Sequence, residues 1–192
     1  MQIKVSMTGD GPVLMHNERL ANPFDPLVRE MKALTSKRKK TDDDLAAIMR
    51  IEFEGGLYHD PQIGPYIPTW NIKKCFIEGG RINKLGKHVE RAFTPLSTRA
   101  PLVYTGPRTV EKLWADARFR DVRSVKIGQS KTARCRPLFD PWALSFDGDI
   151  ETSIMNLDEF ASVAARAGAM VGLGDFRQRY GRFSIEIEAV AP

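Results

Sequence analysis

The sequence predicts an α+β fold, with a mainly antiparallel sheet and helices on one of its faces. The chain begins and ends on segments of alternating apolar and polar residues, 3–7 and 183–188, and this alternation indicates half-buried strands. Between them, helical spacing follows capping residues at Thr41 and Asn156. Without its insertions the element order is β-α-β-β-α-β, the ferredoxin-like order.

Composition sets the class of protein. The 192 residues are 42% hydrophobic and 28% charged, which is typical of a globular protein with one large domain or one domain with an insertion. The net charge of +5 favours an anionic partner. Cys75 and Cys135 form no CxxC pair, so the usual zinc spacings are absent and reduced thiols are the simpler interpretation. With neither a signal peptide nor a membrane-length apolar run, we expect a cytoplasmic protein of a bacterial or phage-infected cell.

Residues 24–98 are predicted to be a helical insertion. Asp25-Pro26 opens a helix, and Thr41 with Asp44 forms a capping box for a second helix that ends at the Gly55-Gly56 pair. Thr69 is expected to cap a third helix. The basic run at residues 37–40 fits a solvated loop or a phosphate contact.

Residues 118–138 are predicted to form a long basic β-hairpin around residues 128–130, with few side chains able to build a core. The hairpin has seven cations and a single acid, Asp121. Because like charges repel one another, we expect a polyanion to bind there. The seven candidate nucleic-acid contacts are Arg118, Arg120, Arg123, Lys126, Lys131, Arg134 and Arg136.

A glycine-rich loop and the last strand, residues 172–190, follow a helix predicted over 157–167 and capped by Gly168. Glycines let backbone N–H groups approach an anion, arginines bind phosphate, and aromatic rings stack on bases. A solvated turn with incidental charge is the other interpretation. The candidate binding residues are Gly172, Gly174, Arg177, Arg179, Tyr180, Gly181 and Arg182.

Three segments carry a resemblance to a known family. They are the glycine loop from Gly-Leu-Gly at 172–174 to Gly-Arg-Phe at 181–183, the opening strand followed by Pro-Val-Leu-Met-His at 12–16, and the basic hairpin. Together they resemble the RAMP superfamily of CRISPR systems, built on RRM-like folds, and its backbone subunit in particular, whose thumb lies where the hairpin is predicted. The ending is also similar to uncharacterised bacteriophage-encoded proteins.

The resemblance implies a single RAMP-like domain over residues 1–192. It implies single-stranded nucleic acid, RNA or DNA, held across a sheet face, with the hairpin reaching over it and protomers assembling side by side. We expect largely sequence-independent binding without catalysis, and neither a cofactor nor a metal. Candidate stacking rings, each of which is alternatively a core residue, are Phe119, Phe139, Trp142, Phe176 and Tyr180.

Two other classes remain open. Some RAMP relatives cut RNA with a histidine base, and His16 follows an apolar pair where such a base is expected. A structural protein with an exchanged arm is the third class. The adjacent His59-Asp60 pair does not make an HD-type metal site, because further ligands at suitable spacing are missing. The phosphate-loop, GxSxG and HExxH motifs are also absent.

Overall fold

The computed structural model describes residues 1–127, 130–177 and 179–190, with side chains omitted at 125–127, 130 and 131. These residues form mixed helix and antiparallel sheet, which confirms the predicted α+β class. The elements are β1 (Gln2–Gly9), β2 (Val13–Leu14), α1 (Pro26–Thr35), α2 (Asp42–Gly56), β3 (His59–Asp60), β4 (Gly64–Pro68), α3 (Thr69–Arg81), α4 (Gly86–Ala92), β5 (Phe93–Pro95), β6 (Arg99–Val103), α5 (Val110–Ala115), β7 (Arg120–Ile127), β8 (Ser130–Phe139), β9 (Ala143–Ile150), α6 (Leu157–Met170) and β10 (Phe183–Ala189).

The main sheet has the strand order β10-β1-β9-β6-β4-β3, and β5 also pairs with β9. Each of these pairings is antiparallel. In the middle of the sheet, Val5 of β1 lies opposite Phe146 of β9 and Ile187 of β10. The alternation in β1 buries Val5 with its neighbours Ile3 and Met7, as the sequence predicts.

Helices α3 and α6 pack together beneath the sheet. Phe160 of α6 lies 5.7 Å from Phe76 of α3 and 4.7 Å from Phe93 of β5, measured between ring centroids. The helices approach closely because Gly79 has no side chain: a Cβ there would lie 2.6 Å from Cβ of Ala167. Burial of these apolar surfaces is the main force that holds the helices on the sheet.

The opposite face of the sheet is exposed and acidic. Lys4 of β1 is the one cation that β1, β9 and β10 present there, and it lies between Glu188 and Asp147 in the strand register. Asp149 and Glu186 are exposed on the same face. Four carboxylates and one ammonium would repel a phosphate chain, so this face does not suit the predicted nucleic acid.

Residues 24–98 are less purely helical than the sequence predicts. They contain α1 to α4, but also β3, β4 and β5, and all three strands belong to the main sheet. Strand β4 follows a turn at Gly64, where φ is +78°, and pairs with β6. Helix α3, from the same range, belongs to the core. Helices α1 and α2 start as predicted, with Asp25 accepting from the N–H of Leu27 at 2.9 Å and a complete Thr41–Asp44 capping box.

Two predicted caps are wrong. Thr69 is the first residue of α3, and its hydroxyl donates to the carbonyl of Ser97, so it ties the helix to the β5–β6 connection. Gly168 lies inside α6, which continues to Met170. A Cβ at Gly168 would lie 2.1 Å from the carbonyl oxygen of Phe183, so this glycine permits close helix–strand packing.

Strands β7 and β8 pair from Arg120 opposite Pro137 to Ile127 opposite Ser130. The predicted turn at 128 and 129 lies outside the described residues. The base of this pair is fixed to α2 by the buried carboxylate of Glu52, which accepts from the guanidinium of Arg134 and from the N–H of Cys135. Strand β2 pairs with the far end of β8.

We expect Glu52→Ala to lower the free energy of unfolding by about 2–3 kcal/mol, because it leaves the Arg134 guanidinium and the Cys135 N–H without their buried acceptor. Thermal denaturation followed by circular dichroism measures the loss. The matched control is Glu54→Ala on the same helix, which removes an exposed pair with Arg50 worth about 0.2–1 kcal/mol. Equal melting temperatures for the two variants would contradict the anchoring role of Glu52.

Both thiols are expected to be unreactive in the folded protein. Burial raises the pKa of Cys75 to about 12 and that of Cys135 to about 11. The thiolate is the reactive form, so Ellman's reagent at mildly alkaline pH should label neither thiol in the native protein and both in concentrated guanidinium chloride. Because the fold favours the neutral thiols, stability should fall as pH rises above the ordinary thiol range, where the unfolded chain ionises first. Rapid native labelling would contradict this.

Candidate nucleic-acid interface

The glycine loop lies directly on the segment around β2. The N–H of Asp175 donates to the carbonyl of Leu14 at 2.9 Å, and the N–H of Gly181 donates to the carbonyl of Pro12 at 2.8 Å. The N–H of Asp10 donates to Arg182 of the loop at 3.0 Å. Two segments that carried the family resemblance, at opposite ends of the chain, therefore form one structural unit.

The loop glycines are required for packing. Gly172, Gly174 and Gly181 have φ values of +80°, +74° and +74°. A Cβ at Gly174 would lie 2.1 Å from the carbonyl oxygen of Leu14. Because the N–H groups of Gly172 and Gly181 already donate to protein carbonyls, these two do not offer their N–H to an anion as the sequence analysis expected.

The loop arginines differ in their surroundings. Arg177 is exposed and donates to Glu78 of α3 at 2.8 Å. Arg179 is exposed, with its guanidinium 6.0 Å from the ring centroid of Tyr180. Arg182 is half-buried, and its Nη1 is a buried atom with no hydrogen-bond partner within the described part of the chain.

Tyr180 does not suit the predicted stacking role. Its side chain is buried, and the guanidinium of Arg123 lies 4.9 Å from its ring centroid. Of the five predicted stacking rings, Phe119, Phe139 and Trp142 are also buried, and the indole N–H of Trp142 donates to the carbonyl of Gly11 at 2.9 Å. Phe176 alone is exposed, at 47%, which leaves it as the ring that a base can reach.

Four of the five hairpin arginines are paired with carboxylates, so the expectation of uncompensated charge on the hairpin is wrong for these four. Most of their carboxylate partners come from outside residues 118–138, which is why sequence reasoning missed them. The fifth arginine, Arg120, packs over the ring of Trp114 at 4.8 Å. Side chains of Lys126 and Lys131 lie outside the described residues. The ion pairs are Arg118–Asp116, Arg123–Asp121, Arg134–Glu52 and Arg136–Asp175.

Three adjoining clefts surround the glycine loop. The first lies between the end of β2, α3 and the loop, and shares Glu78, Gly174 and Arg177 with the second. The second shares Asp175 and Phe176 with the third, which reaches the hairpin. We call these three adjoining clefts together the loop groove.

Cations dominate the loop groove. It is lined by seven cations from α3, the loop and the hairpin, against two carboxylates, with Asp121 as a third behind Arg123. Lys74 and Arg81 were missed by the sequence analysis, although their spacing of seven residues places them on one face of α3. The cations are Lys74, Arg81, Arg123, Arg136, Arg177, Arg179 and Arg182, and the carboxylates Glu78 and Asp175.

The histidines are dispersed. His16 is exposed and lines the first cleft with Lys74 and Glu78. Nε2 of His59 lies 2.7 Å from the carbonyl oxygen of Arg108, and His88 is exposed on α4. Within residues 1–127, 130–177 and 179–190, no three His, Cys, Asp or Glu side chains are grouped as metal ligands. Nor does any helix in these ranges combine the length and apolar character needed to cross a bilayer.

We expect Gly174→Ala to lower the free energy of unfolding by about 2 kcal/mol or more, because alanine at φ +74° is strained and its Cβ would overlap the carbonyl of Leu14. The melting temperature should fall by roughly 4–8 °C. Gly11→Ala is the matched control, since a Cβ at Gly11 meets nothing within 4 Å. If both variants have the melting temperature of the wild type, Gly174 does not pack against the carbonyl of Leu14 as described.

Comparison with known proteins supports the fold. The chain is similar to a chain in a solved structure, the cryo-EM structure of the type III-B Cmr-beta bound to cognate target RNA, with a TM-score of 0.51 and 15% identity. The match covers 97% of this chain and 59% of the other, so this chain spans less than two thirds of its neighbour's length. This likeness supports the RAMP-like fold that the sequence resemblance implied. No family model and no curated sequence matches.

Proposed function

We propose that this protein binds single-stranded RNA along the loop groove, without catalysis and largely independently of sequence. The convergence of cations from α3, the glycine loop and the hairpin around the exposed ring of Phe176 carries the proposal. Backbone phosphates supply most of the affinity for a single strand, and stacking on aromatic rings adds to it for any base. The groove offers both kinds of contact.

The distribution of charge supports this location. On the open face of the sheet, strands β1, β9 and β10 carry four carboxylates and one ammonium, whereas the loop groove has an excess of cations. A polyanion is therefore attracted to one side of the molecule and repelled from the other. The pair between Arg177 and Glu78 is exposed, and such pairs contribute only about 0–1 kcal/mol, so Arg177 can turn to a phosphate at little cost.

RNA is favoured over single-stranded DNA because the similar chain belongs to a solved structure of an assembly bound to cognate target RNA. Assembly along the strand is part of the proposal: the pair of strands β7 and β8, fixed at its base to Glu52, would act as the thumb that reaches towards the next protomer.

We also propose that residues 1–192 form one ferredoxin-like, RAMP-like domain. The sheet order β10-β1-β9-β6, with α3 and α6 on one face, follows the pattern β-α-β-β-α-β when read as β1, α3, β6, β9, α6 and β10. In this scheme the insertion within residues 24–98 narrows to the part before α3. Residues 118–138 are the hairpin, and residues 172–190 are the glycine loop and last strand.

Salt dependence tests the groove. We expect Lys74→Ala combined with Arg179→Ala to weaken binding of a fluorescent single-stranded RNA about tenfold at low salt, because two phosphate contacts are lost. The slope of log K against log salt concentration should become less negative by about 1.4, at roughly 0.7 per contact. Fluorescence anisotropy over a salt series measures both values.

The matched control removes two cations elsewhere, Lys4→Ala on the acidic sheet face with Lys112→Ala on α5, and should leave the slope unchanged. Equal slopes for the two double variants would reject the loop groove. If the wild-type protein cleaves the RNA and the His16→Ala variant does not, the protein is an endoribonuclease. Self-association without salt-dependent RNA binding would favour a structural protein with an exchanged arm.

A further inference from the structure

We propose that Trp70, in the first turn of α3, is a second stacking platform for the bound RNA, so that the strand runs along α3 from Phe176 to Trp70. The inference rests on the proposed RNA binding and adds to it a contact residue and the course of the strand. Three features of Trp70 carry it: the exposure of its indole, its position on α3, and the lysines beside it.

Trp70 is one of three exposed aromatic residues in the described part of the chain. It is 63% exposed, whereas Trp142 is buried and Trp114 is half-buried. The other two exposed rings are Phe24 and Phe176, of which Phe176 lines the loop groove. A tryptophan is highly buried on average, because its indole gains much from leaving water. An indole that stays open to solvent adds little to the core and is available to a ligand.

Trp70 lies in line with the groove cations of α3. At 3.6 residues per turn, Trp70, Lys74 and Arg81 fall within about 40° of one another around the helix axis. Lys74 lines the first cleft and Arg81 the second, and Trp70 lies one turn beyond Lys74. The three residues extend over about 16 Å along the axis, at 1.5 Å per residue, which is long enough to contact several nucleotides. A strand that passes Phe176 and Arg81 and then Lys74 therefore reaches Trp70 next.

Two lysines flank the indole of Trp70. Nζ of Lys73 lies 5.8 Å from the ring centroid, and Lys73 itself is only 9% exposed. An ammonium at this distance is attracted to the ring, and because Lys73 is buried it restricts the indole. Less conformational entropy is then lost when a base stacks on the ring. Lys74 is exposed, where it can pair with a phosphate next to the stacked base.

The surroundings of Trp70 favour a nucleic acid over an apolar protein surface. Tryptophans that dominate protein interfaces lie near the centre of well-packed, desolvated pockets. The exposed residues that follow Trp70 on the same side of α3 are instead the cations Lys74 and Arg81. A single strand has both aromatic bases and a charged backbone, so it can satisfy the indole and these cations together.

Anisotropy of a fluorescent oligouridine tests the platform. We expect Trp70→Ala to weaken binding about fivefold or more, as the loss of one base–aromatic stack does, and Trp70→Phe to stay within about twofold of the wild type. The salt slope should not change in either variant, because no phosphate contact is lost. Phe24→Ala is the matched control, since this ring is 74% exposed, has the guanidinium of Arg29 at 5.7 Å and lines none of the three clefts. It should bind as the wild type does.

Tryptophan fluorescence measures the contact directly. The chain has three tryptophans, and Trp70 is the exposed one, so oligouridine stacked on it should quench the emission of the wild-type protein. In Trp70→Phe the quenching should be lost while the affinity is kept. This variant retains a ring of similar character, so it also tests the platform if Trp70→Ala does not fold.

Several results would overturn the platform and leave the proposed function intact, provided that the wild type binds RNA with the expected salt dependence. They are wild-type affinity in Trp70→Ala, equal losses of affinity in Trp70→Ala and Phe24→Ala, and full quenching in Trp70→Phe. A Trp70→Ala variant that keeps its RNA affinity but loses self-association would identify Trp70 as a protein contact instead. Absence of salt-dependent RNA binding by the wild type would overturn both the platform and the proposed function.

Discussion

The seating of the glycine loop on the carbonyls of residues 12–14 is the constraint on which the rest of the site depends. Two backbone hydrogen bonds, from Asp175 to Leu14 and from Gly181 to Pro12, join the last connection of the chain to the first. The contact is so close that Gly174 leaves no space for a side chain beside the carbonyl of Leu14, and Gly181 leaves none beside Leu173 within the loop. The loop that carries Arg177, Arg179 and Arg182 is therefore fixed to the first connection of the chain, and its residues line all three clefts.

Charge is organised at two levels in this protein. Locally, most hairpin arginines are paired with carboxylates, so the hairpin is not an unstable cluster of like charge. Globally, acidic residues collect on the open face of the sheet and cations around the glycine loop. The separation of charge across the molecule, rather than the net charge of the hairpin, therefore favours an anionic ligand. Exposed pairs are weak enough to exchange partners, whereas the Glu52 pair is buried and structural.

The sequence by itself determined the local structure, because alternation, capping boxes and turn residues act over a few positions. It located β1 and β10, the starts of α1, α2 and α6, and the class of the fold. Only the tertiary structure decided which charges are free. The partners of Arg134 and Arg177, Glu52 and Glu78, lie 82 and 99 positions away in the chain. The tertiary structure also decided that Tyr180, an aromatic ring able to stack on a base, is buried. Lys74 and Arg81 line the groove only because α3 packs beside the loop. Burial and ion pairing depend on contacts between segments that are distant in the chain. A local sequence pattern gives no information about those contacts.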